Sequence, residues 1–406
     1  MTIEIPKNLP IQPVLNLGIV GHVDHGKTTL TKLLSGKWTD THSLEKKRGI
    51  TIKLGYTNFT IHYDEKTNIF SVKEGSPVKK VSIVDAPGHE SFMGTMISGA
   101  AVMDAAILVI TADQPCPQPQ TIEHLKALDI AGIKDIIVIQ NKIDLVSKEE
   151  AIEHFHQVKK FLKGTIAENA PILPLSAQHS VNISPLLEKV YELKNRKIDR
   201  SEKPLMNIVR SFDINKPGMD IEEVNGGVLG GAITSGEFKV GDEIEIKPGL
   251  PIQKEGKQVL RTINAKIKGL KSDKDSLEKA TIGGSVAIIT DLDPIMTHKD
   301  ALVGQMAGPV GSLPEALMQV TFEPKLFDKV VTSEGDLDVK DIILGEPLMM
   351  IVNSMTTVGV ASKANPREVT VNLKRAVMGF KDDRVVIFKR FAGNKWRIAG
   401  YGVLKL

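Results

Sequence analysis

The stretch G-H-V-D-H-G-K-T at residues 21–28 decides the fold of this chain, because it fits the phosphate-binding pattern G-x-x-x-x-G-K-[ST]. The apolar run L-G-I-V at 17–20 precedes it and predicts a strand, and residues 27–34 have the apolar spacing of a helix. A glycine turn between a strand and a helix is the context in which this pattern binds phosphate. Taken alone, the motif is also compatible with a glycine turn before an ordinary helix.

The residue types in this loop suit the phosphates of a nucleotide. The Lys27 ammonium can reach the β- and γ-phosphates as a point charge, and the Thr28 hydroxyl is a ligand for Mg²⁺. Backbone N–H groups at the helix N-terminus add positive potential. The predicted phosphate contacts are Asp24, His25, Gly26, Lys27, Thr28 and Thr29.

A second motif, D-A-P-G-H at 85–89, follows the predicted strand 81–85. The Asp85 carboxylate at the strand end can hold Mg²⁺ through water. The Gly88 amide can approach a γ-phosphate because no side chain intervenes. The alternative is a surface turn.

A third motif, N-K-I-D at 141–144, follows the predicted strand 135–140 and selects the base. The Asp144 carboxylate can accept hydrogen bonds from guanine N1–H and from its exocyclic amino group, and adenine offers neither donor. Asn141 can bond guanine N7, Lys142 can pack over the base, and the Ser176-Ala177 turn after residues 172–175 can offer a backbone N–H to guanine O6. The three motifs in this order predict a site for GTP and GDP with Mg²⁺.

The segment R-G-I-T at 48–51 lies between the first two motifs. In a mobile loop, Thr51 can ligate Mg²⁺ and sense the γ-phosphate, although a plain polar loop is the alternative. His22, Asp24 and His25 resemble a metal cluster, but the phosphate loop already explains their position. Asp24 and Gly49 remain candidates for a second cation.

The pattern along the chain predicts an α/β domain followed by β structure. Residues up to about 200 alternate strands and helices, which favours a mostly parallel sheet with helices on both faces. Beyond 194–203, alternating segments such as 242–247, 264–268 and 368–373 favour two antiparallel β-barrels, with a break at 307–314. The expected domains are a GTP-binding domain at 1–205 and barrels at 206–318 and 319–406.

Composition excludes several classes of protein. With 41% apolar and 25% charged residues the chain is globular, and its single cysteine excludes a disulfide or a cysteine-based zinc site within the chain. It has no signal-peptide pattern and no apolar run of roughly 18 residues, so we expect a cytoplasmic protein with no membrane partner.

Charge is distributed unevenly along the sequence. Residues 363–406 carry eleven Lys and Arg against three Asp and Glu, a net charge of +8, whereas residues 1–362 have 41 basic and 46 acidic residues. A basic end on a nearly neutral body is typical of a surface that contacts nucleic acid. A solvated barrel exterior is the alternative.

These motifs resemble the translational GTPases of the elongation factor Tu type. The strings G-H-V-D-H-G-K-T-T-L at 21–30, R-G-I-T-I at 48–52 and D-A-P-G-H at 85–89 carry that resemblance. Within the group, the chain is similar to the family of gamma subunits of archaeal and eukaryotic translation initiation factor two, and its short length favours the archaeal form. Four further strings carry the closer resemblance: K-R-G-I-T-I-K-L-G-Y at 47–56, P-Q-P-Q-T at 117–121, K-G-T-I-A-E-N at 163–169 and V-R-S-F-D-I-N-K-P-G at 209–218.

The resemblance implies a GTPase that carries methionylated initiator tRNA to the small ribosomal subunit, with hydrolysis lowering its affinity for tRNA. It implies a heterotrimer in which an alpha subunit docks on the first barrel and a beta subunit on the GTP-binding domain. His89 is the implied catalytic residue, held away from the attacking water by a hydrophobic gate of Val23 and Ile50.

The chain departs from that family in one segment, and two other functions compete. Family members often carry a four-cysteine zinc knuckle, but residues 60–80 contain no cysteine, so no zinc is expected. One rival is a selenocysteine-specific elongation factor, which normally has further C-terminal domains. The other is a regulatory GTPase of a sulfate-activating enzyme, which would leave the strings at 163–169 and 209–218 unexplained.

Overall fold

The computed structural model describes residues 3–39, 51, 53–195, 199, 201–215, 218–219, 224–254, 257–332, 335–391 and 395–406. Contacts divide the chain into two compact units, Met1–Arg196 and Lys197–Leu406. Gly49 and Ile50, predicted as a metal ligand and a gate residue, lie outside the described residues. The finer division at residues 205 and 318 stays a prediction.

The first unit is built on a mixed sheet of seven strands in the order β3-β2-β4-β1-β5-β6-β7. Its strands are β1 Asn16–Val20, β2 Gly55–Asp64, β3 Ile69–Ser71, β4 Ser76–Asp85, β5 Ala105–Thr111, β6 Ile136–Asn141 and β7 Ile172–Pro174. Its described helices are α1 Lys27–Ser35, α2 Met93–Ala100, α3 Pro119–Ala131, α4 Lys148–Leu162 and α5 Ile183–Glu192.

The five strands from β4 to β7 in this order pair in parallel, as the alternation of strands and helices predicts. Leu17 of β1 lies opposite Ile83 of β4 on one side and Ala105 of β5 on the other. Among the described strands of this sheet, antiparallel pairing is confined to β2, which pairs with β3 on one side and with β4 on the other. The carboxyl ends of β1, β4 and β6 therefore meet at one edge, where ligands bind in open parallel sheets.

Both faces of this sheet are buried. Ile107 of β5 belongs to the core cluster that includes Leu30 of α1 and Leu186 of α5. Its neighbours Ala106 and Leu108 point to the opposite face and are equally inaccessible to solvent. Apolar residues at every position of β5 except the last, Thr111, thus serve two cores, which is why the strand lacks polar alternation.

The buried face of α4 differs from the one predicted. The sequence predicts an apolar face of Ile152, Phe155, Val158, Phe161 and Leu162, but Ile152 is 49% exposed and the two phenylalanines are half-buried. The buried residues recur every four positions, at His154, Val158 and Leu162. His154 takes an inward place because its Nδ1 lies 3.0 Å from Nε2 of Gln140 on β6, so a polar pair replaces an apolar contact.

The second unit contains two closed antiparallel barrels, as expected. The first barrel uses β8 Leu205–Phe212, β9 Val228–Ser235, β11 Glu243–Lys254, β12 Lys257–Ser272, β15 Ser285–Thr290 and β16 Met306–Pro309, and the pairing of β11 with β12 closes it. Three short strands accompany this barrel: β10 Glu237–Lys239, β13 Asp275–Leu277 and β14 Lys279–Thr281. The predicted break at 307–314 is partly wrong, because Met306–Pro309 forms a strand of this barrel.

The second barrel has the strand order β17-β22-β21-β20-β23-β24. These strands are β17 Leu317–Leu326, β20 Pro347–Val352, β21 Met355–Asn365, β22 Glu368–Val377, β23 Arg384–Phe391 and β24 Lys395–Lys405, with a separate hairpin of β18 Lys329–Thr332 and β19 Gly335–Asp338. Alternate residues of β22 point inward, with Val369, Val371 and Leu373 in the barrel core. In the described part of the chain, none of the helices is both long enough and apolar enough to cross a membrane.

Candidate nucleotide-binding site

A cavity of about 270 Å³ opens at the carboxyl edge of the first sheet. It brings together residues from the three sequence motifs with Trp38 and Thr51. The lining residues are Val23, Asp24, Gly26, Lys27, Thr28, Thr29, Trp38, Thr51, Gly88, His89 and Lys142.

The phosphate loop is shaped by left-handed backbone and by the absence of a side chain at Gly88. Asp24 and Gly26 have φ values of 60° and 91°, which turn the chain sharply before α1. Lys27 is only 6% exposed, and its Nζ donates a hydrogen bond of 2.7 Å to the carbonyl oxygen of His22. A Cβ at Gly88 would collide with Lys27 Nζ and with backbone of the loop. This tight backbone cradle around one ammonium suits a phosphate group.

Two side chains of α3 hold the loop from below, and neither was predicted from the sequence. The backbone N–H of Gly21 donates to Nδ1 of buried His124 at 2.9 Å, and that of Val23 donates to Oε1 of Gln120 at 3.4 Å. Their spacing of four residues places them on one side of the helix. Their distance from the loop in sequence left no local signal, because the contact exists only after α3 packs.

The histidines beneath the loop are held neutral. His25 is fully buried, its Nδ1 lies 3.0 Å from the carbonyl oxygen of Val109, and burial lowers the pKa of its imidazole to about 3. Burial also lowers the pKa of His124 well below its usual value. Lys27 therefore supplies positive charge to the loop at neutral pH, and these two imidazoles add none.

Oxygen donors for a hard cation lie beside the loop. Thr28 Oγ1 and Thr51 Oγ1 are 3.2 Å apart, although their residues are 23 positions apart in sequence. Asp85 at the end of β4 is fully buried, and its Oδ2 accepts a hydrogen bond of 2.6 Å from the Thr39 hydroxyl. Two hydroxyls and a carboxylate fit Mg²⁺, which takes few protein ligands together with phosphate and water. Within the described ranges, no group of three or more His, Cys, Asp and Glu is placed to hold a metal.

Asn141, at the end of β6, ties three segments together. Its Nδ2 donates to the carbonyl oxygen of His25 at 2.8 Å, and its Oδ1 accepts from the backbone N–H of Ala177 at 3.0 Å. The amide thereby fixes the phosphate loop and the 176–177 turn to the end of β6. A single side chain thus sets the spacing between the phosphate loop and the 176–177 turn.

Asp144 is prepared to act as an ionised acceptor. A hydrogen bond from the Ser176 hydroxyl lowers the pKa of its carboxyl, and the nearby His179 and Lys142 act in the same direction. His179 Nε2 lies 3.5 Å from Asp144 Oδ2, and the Asp144 side chain is 25% exposed. An exposed carboxylate at this edge can accept from a base that offers two adjacent donors. Ser176 was predicted from the sequence, whereas His179 was not.

His89 stands at the phosphate end of the cavity with its ring anchored at one nitrogen. Nδ1 accepts a hydrogen bond of 3.1 Å from the backbone N–H of Ser91, and the ring centroid lies 5.9 Å from that of Phe92. The side chain lines the cavity together with Val23 and Gly88. This arrangement leaves Nε2 as the nitrogen available to a group in the cavity.

Two family models match the chain. The model described as "Elongation factor Tu GTP binding domain" matches residues 12–195, and the model described as "Initiation factor eIF2 gamma, C terminal" matches residues 318–404. Two curated relatives are named "Translation initiation factor 2 subunit gamma". The protein of Methanothermobacter thermautotrophicus is 48% identical, with 97% of this chain and 99% of the relative covered. That of Thermoplasma acidophilum is also 48% identical, with 97% of each chain covered.

Solved structures share the fold. A bacterial selenocysteine-specific elongation factor matches with a TM-score of 0.74 at 24% identity, covering 96% of this chain. The present chain covers 58% of the length of that factor. The elongation factor SelB of Methanococcus maripaludis, solved with the GTP analogue GppNHp, matches with a TM-score of 0.74 at 22% identity, covering 98% of this chain and 80% of SelB.

Proposed function

Because the chain belongs to the family of translation initiation factor 2 gamma subunits and is a translational GTPase, we propose that it carries methionylated initiator tRNA to the small ribosomal subunit. Carriage depends on GTP in the cavity at the edge of the first sheet. Hydrolysis of GTP to GDP and phosphate lowers the affinity for tRNA and releases it. The protein works as the gamma subunit of a heterotrimer with alpha and beta subunits.

The extent of the similarity carries this proposal. Identity of 48% extends over 97% of the chain, and a family model specific to the initiation factor covers the second barrel. A regulatory GTPase of a sulfate-activating enzyme would explain the nucleotide motifs only. The likeness to the selenocysteine-specific factors, at 24% identity or less, supports a common fold and no common function.

In the proposed site, the chain binds GTP along the cavity from the phosphate loop to Asp144. Lys27 and the loop amides hold the β- and γ-phosphates, and Gly88 contacts the γ-phosphate. Asn141, Asp144 and the 176–177 turn hold guanine. Thr28, Thr51 and Asp85 hold Mg²⁺, which supplies neutralisation of phosphate charge when it is bound.

The tRNA test compares charged tRNAs in filter binding. The full chain with an alpha subunit should bind methionylated initiator tRNA much more tightly with GTP than with GDP, and should bind charged elongator tRNA weakly in both states. Equal affinity for initiator and elongator tRNA would contradict the proposed cargo. Selective binding of selenocysteinyl-tRNA would support the rival carrier instead.

The subunit test uses co-purification. We place the alpha subunit on the first barrel and the beta subunit on the GTP-binding domain. In pull-downs, a variant altered on the surface of the first barrel should lose the alpha subunit and retain the beta subunit. A variant altered on the surface of the GTP-binding domain should lose the beta subunit and retain the alpha subunit. Failure of the wild-type chain to bind either subunit would refute the heterotrimer.

Hydrolysis is assigned to His89, whose Nε2 positions the attacking water next to the γ-phosphate held at Gly88. The gate implied by the resemblance includes Val23, which lines the cavity, and keeps the ring away until the ribosome reorganises the site. His89→Ala should lower ribosome-stimulated hydrolysis by roughly 10²-fold while GTP binding stays nearly intact. Thr28→Ala should instead impair Mg²⁺-dependent nucleotide binding. Single-turnover hydrolysis on small subunits, measured beside equilibrium binding, distinguishes the two, and a wild-type rate for His89→Ala would assign the role to another residue.

A further inference from the structure

Trp38 is an exposed aromatic residue in the wall of the nucleotide cavity. It lines the cavity with Thr29 of α1 and Lys142 of the third motif, and its side chain is 53% exposed. A tryptophan in a cleft with half of its surface open to solvent is a candidate for ligand contact, since large aromatic side chains otherwise bury most of their area. No part of the phosphate or magnesium chemistry requires it.

The backbone on both sides of Trp38 is fixed. Gly36 ends α1 with a left-handed φ of 73°, which turns the chain back along the helix. Immediately before Trp38, the backbone N–H of Lys37 donates to the Ser35 hydroxyl at 3.2 Å. Immediately after it, Thr39 donates to the Asp85 carboxylate at 2.6 Å. The indole is therefore presented from an anchored segment.

The ring itself is oriented by a cation. Lys32 Nζ lies 4.3 Å from the centroid of the Trp38 ring, a distance typical of a cation–π contact. Lys32 is one helical turn beyond Thr28, so this contact holds the ring on the side of α1 that leads to the cavity. The orientation of the ring is thus set from α1.

We propose that Trp38 contacts the nucleoside half of the bound guanine nucleotide, an inference that rests on the proposed placement of GTP in this cavity. Lys27 and Gly88 already surround the phosphate end, where an uncharged indole offers no advantage. Between Thr29 and Lys142 the cavity receives the α-phosphate, sugar and base, and a flat aromatic surface complements these groups. Trp38 is a nucleotide-contact residue that serves GTP and GDP alike.

Equilibrium binding to the nucleotide-free full chain tests this assignment by calorimetry with GDP and with GTP in Mg²⁺. Trp38→Ala should weaken both nucleotides equally, by about tenfold, within the range measured for loss of an aromatic contact to a base. Trp38→Phe should recover most of the affinity, because it keeps a flat ring. Trp396→Phe, the matched change at the other tryptophan, should leave both affinities unchanged.

The fluorescence emission of Trp38 provides a second measurement, which does not require a change at Trp38 itself. In Trp396→Phe the emission comes from Trp38 alone, and saturating GDP should change its intensity or wavelength. Unchanged emission together with unchanged affinity in Trp38→Ala overturns the inference. Weakening of GTP alone also overturns it, because the ring would then act at the γ-phosphate end. Absence of GDP binding in the wild-type chain overturns the proposed function as well, whereas failure confined to Trp38 leaves that function standing.

Discussion

Single buried side chains set the electrostatics of the phosphate loop. His25 and His124 occupy fully buried positions directly beneath a loop whose charge comes from Lys27. Burial holds the pKa of His25 at about 3 and that of His124 well below its usual value, so both are neutral at physiological pH. A protonated imidazole here would strain the loop before any ligand arrives.

The two histidines predict an acid sensitivity of the first unit. In the folded protein the pKa values of the two histidines lie below the value of about 6.5 that they have in the unfolded chain. At a pH between the folded and the unfolded pKa, the unfolded chain binds more protons than the folded protein. The unfolding free energy therefore falls as the pH falls through this range. With a folded pKa of about 3, His25 should remove about 2 kcal/mol of unfolding free energy between pH 7 and pH 5, and His124 should act in the same direction. His124→Gln, whose amide oxygen can still accept from Gly21 N–H, should lose less unfolding free energy than wild type over that range in urea denaturation, because it removes a buried imidazole with a lowered pKa. His156→Gln, a change at an exposed histidine on α4, should keep the wild-type dependence of the unfolding free energy on pH. The same dependence in all three proteins would contradict neutral burial of His124.

At the scale of elements, the parts of the fold set by local pattern were predictable from sequence. The strands β1 and β5 have the predicted bounds, because their apolar runs end at glycine or polar residues. The prediction of the buried face of α4 was wrong because His154 pairs with Gln140 across the core, and helical periodicity does not reveal such a pair. Thr39 and His124 were missed for the same reason, since their partners Asp85 and Gly21 are far away in sequence.

The hairpin of β2 and β3 occupies the segment where the resembling family often carries zinc. The ring of Phe70 lies between two tyrosines, with centroid distances of 4.9 Å to Tyr63 and 5.5 Å to Tyr191 of α5. Asp64 closes the turn by accepting from the backbone N–H of Lys66 and from the Thr67 hydroxyl, each at 2.9 Å. Aromatic packing and an aspartate turn therefore shape the hairpin.

This packing predicts that the hairpin depends on Phe70 and on no metal. Phe70→Ala should lower the unfolding free energy by about 3 kcal/mol, because the ring is 5% exposed within the core cluster. Its neighbour Ile69 is 50% exposed, and Ile69→Ala should cost about 0.5 kcal/mol or less. A zinc chelator should leave the melting temperature of the nucleotide-free protein unchanged. Equal effects of the two substitutions, or a large drop with chelator, would contradict this assignment.

At the scale of the whole molecule, the basic end maps to the second barrel, where its charges divide into two kinds. Lys389 is buried, and its ammonium donates to the carbonyl oxygens of Lys340 and Asp341 at 2.6 and 3.0 Å, with Glu346 at 3.2 Å. It holds a loop of the barrel and cannot serve an RNA surface. Arg384 and Arg390 are exposed, and the guanidinium of Arg390 lies 4.7 Å from the ring centroid of Trp396.

The exposed arginines predict a change in the salt dependence of RNA binding. If Arg384 and Arg390 each contact a phosphate of tRNA or ribosomal RNA, the double change Arg384→Gln, Arg390→Gln should reduce the slope of log affinity against log salt by roughly two units. Lys66→Gln, at an exposed lysine of the first unit, should leave the slope unchanged. Binding of tRNA and of the small subunit should be titrated between low and high salt. An unchanged slope in the double variant would show that these arginines belong to a solvated barrel exterior and do not contact RNA.

The most direct measurement of the whole proposal is initiator tRNA binding by Asp144→Asn with xanthosine triphosphate. The asparagine amide can donate to the C2 oxygen of xanthine, where guanine carries an amino group, so the variant should prefer this nucleotide to GTP. With an alpha subunit present, filter binding should show that wild type binds methionylated initiator tRNA with GTP and that the variant does so only with xanthosine triphosphate. If the variant binds tRNA equally well with GTP, with xanthosine triphosphate and with no nucleotide, a nucleotide in this cavity does not control the carrier, and the proposal is contradicted.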